Sequence, residues 1–179
     1  VPGQWRSCPL VHIAPMANEV AADIASGFPQ AITLLTLQGW LRRWEADQQV
    51  RFRRWHDKSV LNAVDFVVFS EEDIREAPDM EVAIAHDANT LVVTLAEKGG
   101  NYYQNGVKHH YSTPQVDVVH PTGAGDIFAA SLLAAYWKTG KAMDRAIAIA
   151  ARLAALSVTR SGLSSAPTPD EVQRVLKRP

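Results

Sequence analysis

The hydrophobic positions of this chain gather into short continuous runs separated by longer mixed stretches. Leu10-Val11-His12-Ile13, Ala31 to Leu37, Val64 to Phe69 and Leu91 to Leu95 are such runs. Unbroken apolar runs, rather than strict alternation, mark strands covered on both faces. Between the first two, Asn18 to Ser26 carries Val20, Ile24 and intervening alanines and then meets Gly27, which predicts a helix with a stop signal. Strands alternating with helical stretches predict an α/β layer fold with a mostly parallel sheet. Two antiparallel features interrupt it. Asn105-Gly106 between Tyr102-Tyr103 and Val107 to Tyr111 is a strong hairpin signal. Gln49 to Trp55 alternates and predicts a short edge strand.

The last third reads as helical. Gly125 to Lys138 is apolar nearly all round, predicting a buried helix that ends at Gly140. Ala142 to Arg160 is Ala-rich, with Gly162 as its stop. Thr168-Pro169-Asp170-Glu171 is a capping box with Pro at the first helical position, opening a final helix to Lys177. No internal repeat, low-complexity linker or domain boundary is visible, so residues 1–179 are expected to form a single domain.

Composition narrows the classes. With 47% hydrophobic and 21% charged residues the chain can bury a core. Its 18 Lys and Arg against 19 Asp and Glu leave no positive footprint for nucleic acid. The single Cys8 excludes an internal disulfide and a four-cysteine zinc site, and reads as a small buried apolar residue. No apolar run approaches the roughly 20 residues of a membrane span, and no basic start followed by an apolar stretch marks a signal peptide. The expectation is a soluble, cytoplasmic protein without nucleic-acid or membrane partners. The histidines His12, His56, His86, His109, His110 and His120 lack zinc-site spacing, and adjacent His109 and His110 on a hairpin arm point to opposite faces. Arg42, Arg43, Arg51, Arg53 and Arg54 interleave with Trp40, Trp44 and Trp55, a pattern that an edge strand explains as well as a nucleic-acid surface does.

The chemistry concentrates in Pro121-Thr122-Gly123-Ala124-Gly125-Asp126-Ile127-Phe128. Small residues lead directly into a long helix, so their N–H groups can approach a ligand closely. At a helix start those groups are unpaired and carry the positive end of the dipole, a site suited to phosphate. Asp126 in the first turn would repel a phosphate, yet it suits a base that takes a proton from a hydroxyl attacking one. A tight turn followed by a favourable first-turn carboxylate accounts for the same spacing, and spacing alone does not choose between them. No Walker loop or dinucleotide fingerprint is present.

Thr122-Gly123-Ala124-Gly125-Asp126-Ile127-Phe128 resembles the C-terminal signature of the PfkB (ribokinase-like) carbohydrate kinases, D-T-x-G-A-G-D-x-F. Thr94-Leu95-Ala96-Glu97-Lys98-Gly99-Gly100 is similar to the family's T-x-G-x-x-G, and the Asn105-Gly106 hairpin follows it as in the family. Ala146 to Gly162 resembles the helix and turn that help enclose adenine, and Pro167-Thr168 to Leu176 the closing helix. Asp65 to Asp73 occupies the place of the strand leading into N-x-x-E, and Gln38-Gly39-Trp40-Leu41-Arg42 that of D-x-N-x-R. The resemblance implies a ribokinase-like three-layer α/β/α sandwich with a mostly parallel central sheet. It implies transfer of the ATP γ-phosphoryl group to a hydroxyl of a sugar, polyol or nucleoside. By that resemblance Asp126 is the catalytic base, and Gly123, Ala124 and Gly125 are the anion hole. Thr94, Ala96, Gly99 and Thr122 lie at the nucleotide, Gln38 and Arg42 contact substrate or phosphate, and Asp73 orders Mg²⁺ through water. Mg²⁺ accompanies ATP in this reading, and a monovalent cation belongs to the loop before Gly123. The partner is a small-molecule sugar or polyol, and a homodimer is an assembly open to the family.

The chain departs from the family pattern at several places. The signature's leading Asp is His120 and the next Thr is Pro121, which affects the phosphate and monovalent-cation contacts of that loop. N-x-x-E becomes Ser70 to Asp73, and Ala96 replaces a glycine. Gln-Gly-x-x-Arg together with Ser-Glu-Glu-Asp is similar to the inositol-kinase-like branch. The departures keep open a second reading, a nucleotide-binding or regulatory protein of weakened catalysis on the same fold. Family members place strands, a lid sheet and most sugar contacts before the segment where this chain starts. The expectation is therefore the C-terminal part of a larger fold, its N-terminal part and lid missing, with an exposed edge strand and little kinase activity alone.

Overall fold

The computed structural model of the chain describes residues 1–177. They divide into two compact units, one of residues 1–95 and 101–109 and one of residues 96–100 and 110 onward.

The first unit is built on parallel strands. β1 (Leu10–Ile13), β2 (Ile32–Thr36), β5 (Phe66–Ser70) and β6 (Thr90–Thr94) lie side by side in that order, each pair parallel. Leu34 aligns with Phe66 and Val68 with Val92. In β2, β5 and β6 every residue but the last is buried, which is why these segments read as unbroken apolar runs. β1, the edge strand, is mostly half-buried. The hairpin strands β7 (Gly100–Gln104) and β8 (Val107–Tyr111) continue the sheet beyond β6. Asn105 and Gly106 both hold positive φ, 53° and 75°, the requirement of a two-residue hairpin turn whose twist matches the strands. Leu35, Leu37, Val67, Phe69, Leu91 and Val93 share one core. Val60 and Leu61 of α1 (Lys58–Ala63) and Met80 and Ile84 of α2 (Met80–Asp87) join them there. Asp57 caps α1 by accepting from the amides of Ser59 and Val60.

Two expectations in this unit change. The helix predicted over Asn18 to Ser26 reduces to a 3-10 turn at Ala22–Gly27. Asn18 sits at φ 61°, its Nδ2 donating to Arg42 O at 2.7 Å and its Oδ1 accepting from Arg53 at 2.9 Å. The Glu19 carboxylate meanwhile accepts from the Met16 and Ala17 amides. These bonds outcompete the helical spacing, since Asn readily adopts a left-handed conformation when its side chain is tied locally. The edge strand predicted over Gln49 to Trp55 is β4 (Val50–Phe52), and it leaves the main sheet to pair antiparallel with β3 (Arg42–Trp44) as a separate ribbon.

The second unit is helical. α3 (Ala124–Lys138) packs against α4 (Met143–Ser157), and α4 against α5 (Pro169–Leu176). Thr168 and Glu171 close the capping box reciprocally at the start of α5. α3 is buried along Phe128, Ala129, Leu132, Leu133 and Ala135 only. Ala130, Ala134 and Trp137 stand exposed along another stripe, so the expectation of burial all round fails: an all-apolar sequence does not reveal how many faces its neighbours cover. Cys8, read as buried, is half-buried and carries a free thiol.

Candidate active site

The expected site residues divide between the two units. In the second, Gly123 is the N-cap of α3 at φ 88° and ψ −6°, a left-handed conformation natural to glycine. No side chain caps this helix. The Ala124 amide donates back to Pro121 O at 3.2 Å and the Ile127 amide to Gly123 O at 2.9 Å. Among the described residues the amides of Gly125 and Asp126 have no partner. A Cβ built on Gly123 or Gly125 would meet nothing within 4 Å, so the approach to these amides is open. Asp126 is exposed in the first turn and so is Thr122 just before it. The arrangement fits an anion such as a nucleotide phosphate, with a carboxylate beside it. The preceding loop is held by Val119 and His120, whose amides both donate to Val158 O, at 2.8 and 3.1 Å.

The same unit contains the turn from Ala96 to Gly99. Gly99 has φ +87°, and a Cβ there would lie 2.0 Å from Tyr111 O. Backbone meets backbone at this point, so only glycine fits. Ala96 also holds positive φ, 50°. The residue that replaces the family's glycine therefore keeps a glycine-like backbone.

In the first unit, Gln38, Asp73 and Thr94 follow or end β2, β5 and β6, at the carboxyl ends of adjacent parallel strands where α/β sheets bind ligands. Ser70 and Thr94 are aligned in neighbouring strands. Gln38 Nε2 donates to Asp73 Oδ1 at 3.0 Å, and Asp73 Oδ2 accepts from the Ser70 amide at 2.9 Å. Ser70 in turn accepts from the Glu72 amide, completing a capping box. Asp73 is thus held by both oxygens, and the substitutions Ser70 and Asp73 act as a matched pair. The resemblance gives Gln38 and Asp73 separate roles; their contact spans the ends of two strands and leaves no local signal. Gln38, Arg42, Arg51, Glu72, Asp73 and Arg75 line a cleft of ≈ 180 Å³ between the β3–β4 ribbon and the turn after β5. Arg75 went unnoticed in the sequence because nothing local distinguishes it from a solvated charge.

No group of three metal-ligating side chains occurs among the described residues. The carboxylates of Glu72, Asp73 and Glu76 line one cleft without forming such a group, which fits a magnesium ion held mainly by water and phosphate and does not fit an all-protein cage. No helix of the described residues is long and apolar enough to cross a membrane.

Residues 43–171 match the pfkB family of carbohydrate kinases. An ATP-dependent ribose-1-phosphate kinase of Halopiger xanaduensis is 44% identical over 96% of this chain and 55% of its own length. A fructokinase of Escherichia coli is 27% identical over 90% of this chain and 59% of its own. A ribokinase of Arabidopsis thaliana, solved with ribose and ATP, superposes with a TM-score of 0.72 at 23% identity, covering 97% of this chain and 57% of that one. The fold is ribokinase-like, and the chain spans about half the length of the relatives it matches. With the match running from Arg43 to Glu171 and taking in the helix start at Gly123 to Asp126, the chain belongs to the pfkB family of carbohydrate kinases.

Proposed function

We propose that this chain is the nucleotide-binding and catalytic part of an ATP-dependent sugar or polyol kinase. The observation that carries the reading is the open start of α3, where unpartnered amides at Gly125 and Asp126 adjoin the Asp126 carboxylate. The acceptor hydroxyl loses its proton to Asp126 as its oxygen bonds to the γ-phosphorus, and the bond to the bridging oxygen of ADP breaks. The amides of the Gly123–Asp126 start hold the charge that builds on the phosphoryl oxygens. Thr122, together with Thr94, Ala96 and Gly99, serves the nucleotide phosphates. Mg²⁺, if bound, would offset phosphate charge, and Asp73 is the residue that would hold it through water. The test is Asp126→Asn in a protein spanning the full length of its relatives, in a turnover assay with a sugar and polyol panel. A loss of about 10²- to 10⁴-fold in kcat, with ATP binding retained, is expected for a missing base. Unchanged turnover would remove Asp126 from that role.

The 44% identity to a ribose-1-phosphate kinase favours a second, narrower reading, in which the acceptor is itself a sugar phosphate. Binding of ATP without transfer to any acceptor, in a protein spanning the full length of its relatives, would instead favour a regulatory protein.

A further inference from the structure

The arginines around the β3–β4 ribbon fall into two sets. Arg43 pairs with Glu45 at 2.5 Å, Arg51 with Asp47 at 2.8 Å, and Arg54 with Asp79. Arg53 donates to Trp40 O and to Asn18 Oδ1. Arg42 and Arg75 differ. Among the described residues neither has a carboxylate within ion-pair distance, although Glu72 and Glu76 are close to Arg75 in sequence. Both line the same cleft, Arg42 from the start of β3 and Arg75 from the end of the turn after β5. Arg42 is half-buried, where an arginine left without a partner is unfavourable unless a ligand supplies one.

Of the rest of the lining, Arg51 is already paired with Asp47 and Gln38 with Asp73. Glu72, Asp73 and Glu76 present carboxylate acceptors, and Leu41, Val50 and Phe52 add apolar surface. A cleft with two free guanidinium groups and several hydroxyl acceptors suits one molecule that carries an anion and several hydroxyls. A phosphate takes parallel N–H donors from arginine in a way that a neutral sugar does not.

We infer that Arg42 and Arg75 form a clamp for the phosphate of a phosphorylated sugar, and that Arg75 sets the preference for such an acceptor over a free sugar. The inference rests on the kinase reading above and deepens it. Phosphate groups also arrive on the nucleotide, so the test separates the two sources.

Calorimetric titration of the chain with ribose 1-phosphate, ribose, inorganic phosphate and ATP reads the clamp without turnover. Ribose 1-phosphate should bind at least about tenfold tighter than ribose, as expected for a charge-assisted pair. Arg75→Gln should weaken ribose 1-phosphate by about ten- to a hundred-fold and leave ATP unchanged, while Arg75→Lys recovers part of the loss. Arg75 is exposed, and an unchanged melting temperature for Arg75→Gln will show that the fold is intact. Equal affinity for ribose and ribose 1-phosphate, or no detectable binding of either, overturns the clamp. A loss that falls on ATP instead assigns these arginines to the nucleotide. Failure of transfer to every acceptor by a protein spanning the full length of its relatives, with selective ribose 1-phosphate binding kept, refutes the kinase reading and leaves the clamp standing.

Discussion

Ala96 offers a test of backbone strain in the turn from Ala96 to Gly99. Its φ of 50° lies in the left-handed region, where a Cβ crowds the following carbonyl and an L-residue loses roughly 1–2 kcal/mol. The turn cannot relax freely. The Gly99 amide donates to Ala96 O at 3.1 Å, Gln115 Nε2 donates to Glu97 O at 2.8 Å, and Gly99 is packed against Tyr111 O. Ala96→Gly removes the crowding but adds freedom to the unfolded chain, which offsets about 0.4–1 kcal/mol. The net is a stabilisation of about 0.5–1 kcal/mol. For a protein of this size that corresponds to a rise in Tm of roughly 1–4 °C. Calorimetric melting of the two proteins at equal concentration measures it. The reasoning fails if Ala96→Gly melts lower than the parent, because the unfolded-state effect would then exceed any strain at φ 50°. Ala96→Val sharpens the sign, since a β-branched residue at positive φ should melt below the parent.

The opposite substitution on the same turn, Gly99→Ala, places a Cβ 2.0 Å from Tyr111 O at φ +87°, and a loss of at least about 3 kcal/mol is expected in denaturant unfolding. A midpoint within error of the parent would show that the strand–turn approach can open. Thr168→Ala should reduce stability by about 1 kcal/mol through loss of the α5 cap, read from the urea midpoint. Lys58, and then His86, hold the Asp87 carboxyl below its ordinary value, and His56 Nε2 lies 3.1 Å from it. A carboxyl lowered in the folded state adds stability above its unfolded pKa and loses it as pH falls through the folded one. Melting temperatures from pH 6 down to pH 3 should therefore fall less steeply for Asp87→Asn than for the parent, and parallel acid limbs would refute the pairing.

The parts of the fold set by local chemistry were legible in the sequence. β2, β5 and β6 were visible because each is buried on both faces, and the β7–β8 hairpin because Asn105-Gly106 suits positive φ. The α5 cap was visible in Thr168 and Glu171. What escaped depends on distant partners. The helical spacing after Asn18 gave way to bonds with Arg42 and Arg53. The exposed stripe of α3 depends on which faces α4 leaves uncovered. The start of α3 was legible as a candidate anion site because its small residues and Asp126 are consecutive. The Gln38–Asp73 bond and the position of Arg75 were not, since they join segments 35 residues apart or lie beside a ribbon whose pairing only the fold defines.

The left-handed Gly123 and the missing side-chain cap have a consequence for how α3 begins. In most helices a serine, threonine or aspartate of the chain itself satisfies the first amides, and the helix is then complete without help. Here that task is left to whatever anion arrives. On the proposed kinase reading, a bound phosphate would supply the missing cap, and occupancy and helix completion would become one event. Amide hydrogen exchange at Gly125 and Asp126 should slow when phosphate is bound, while exchange deep in α3 at Leu132 and Leu133 stays the same.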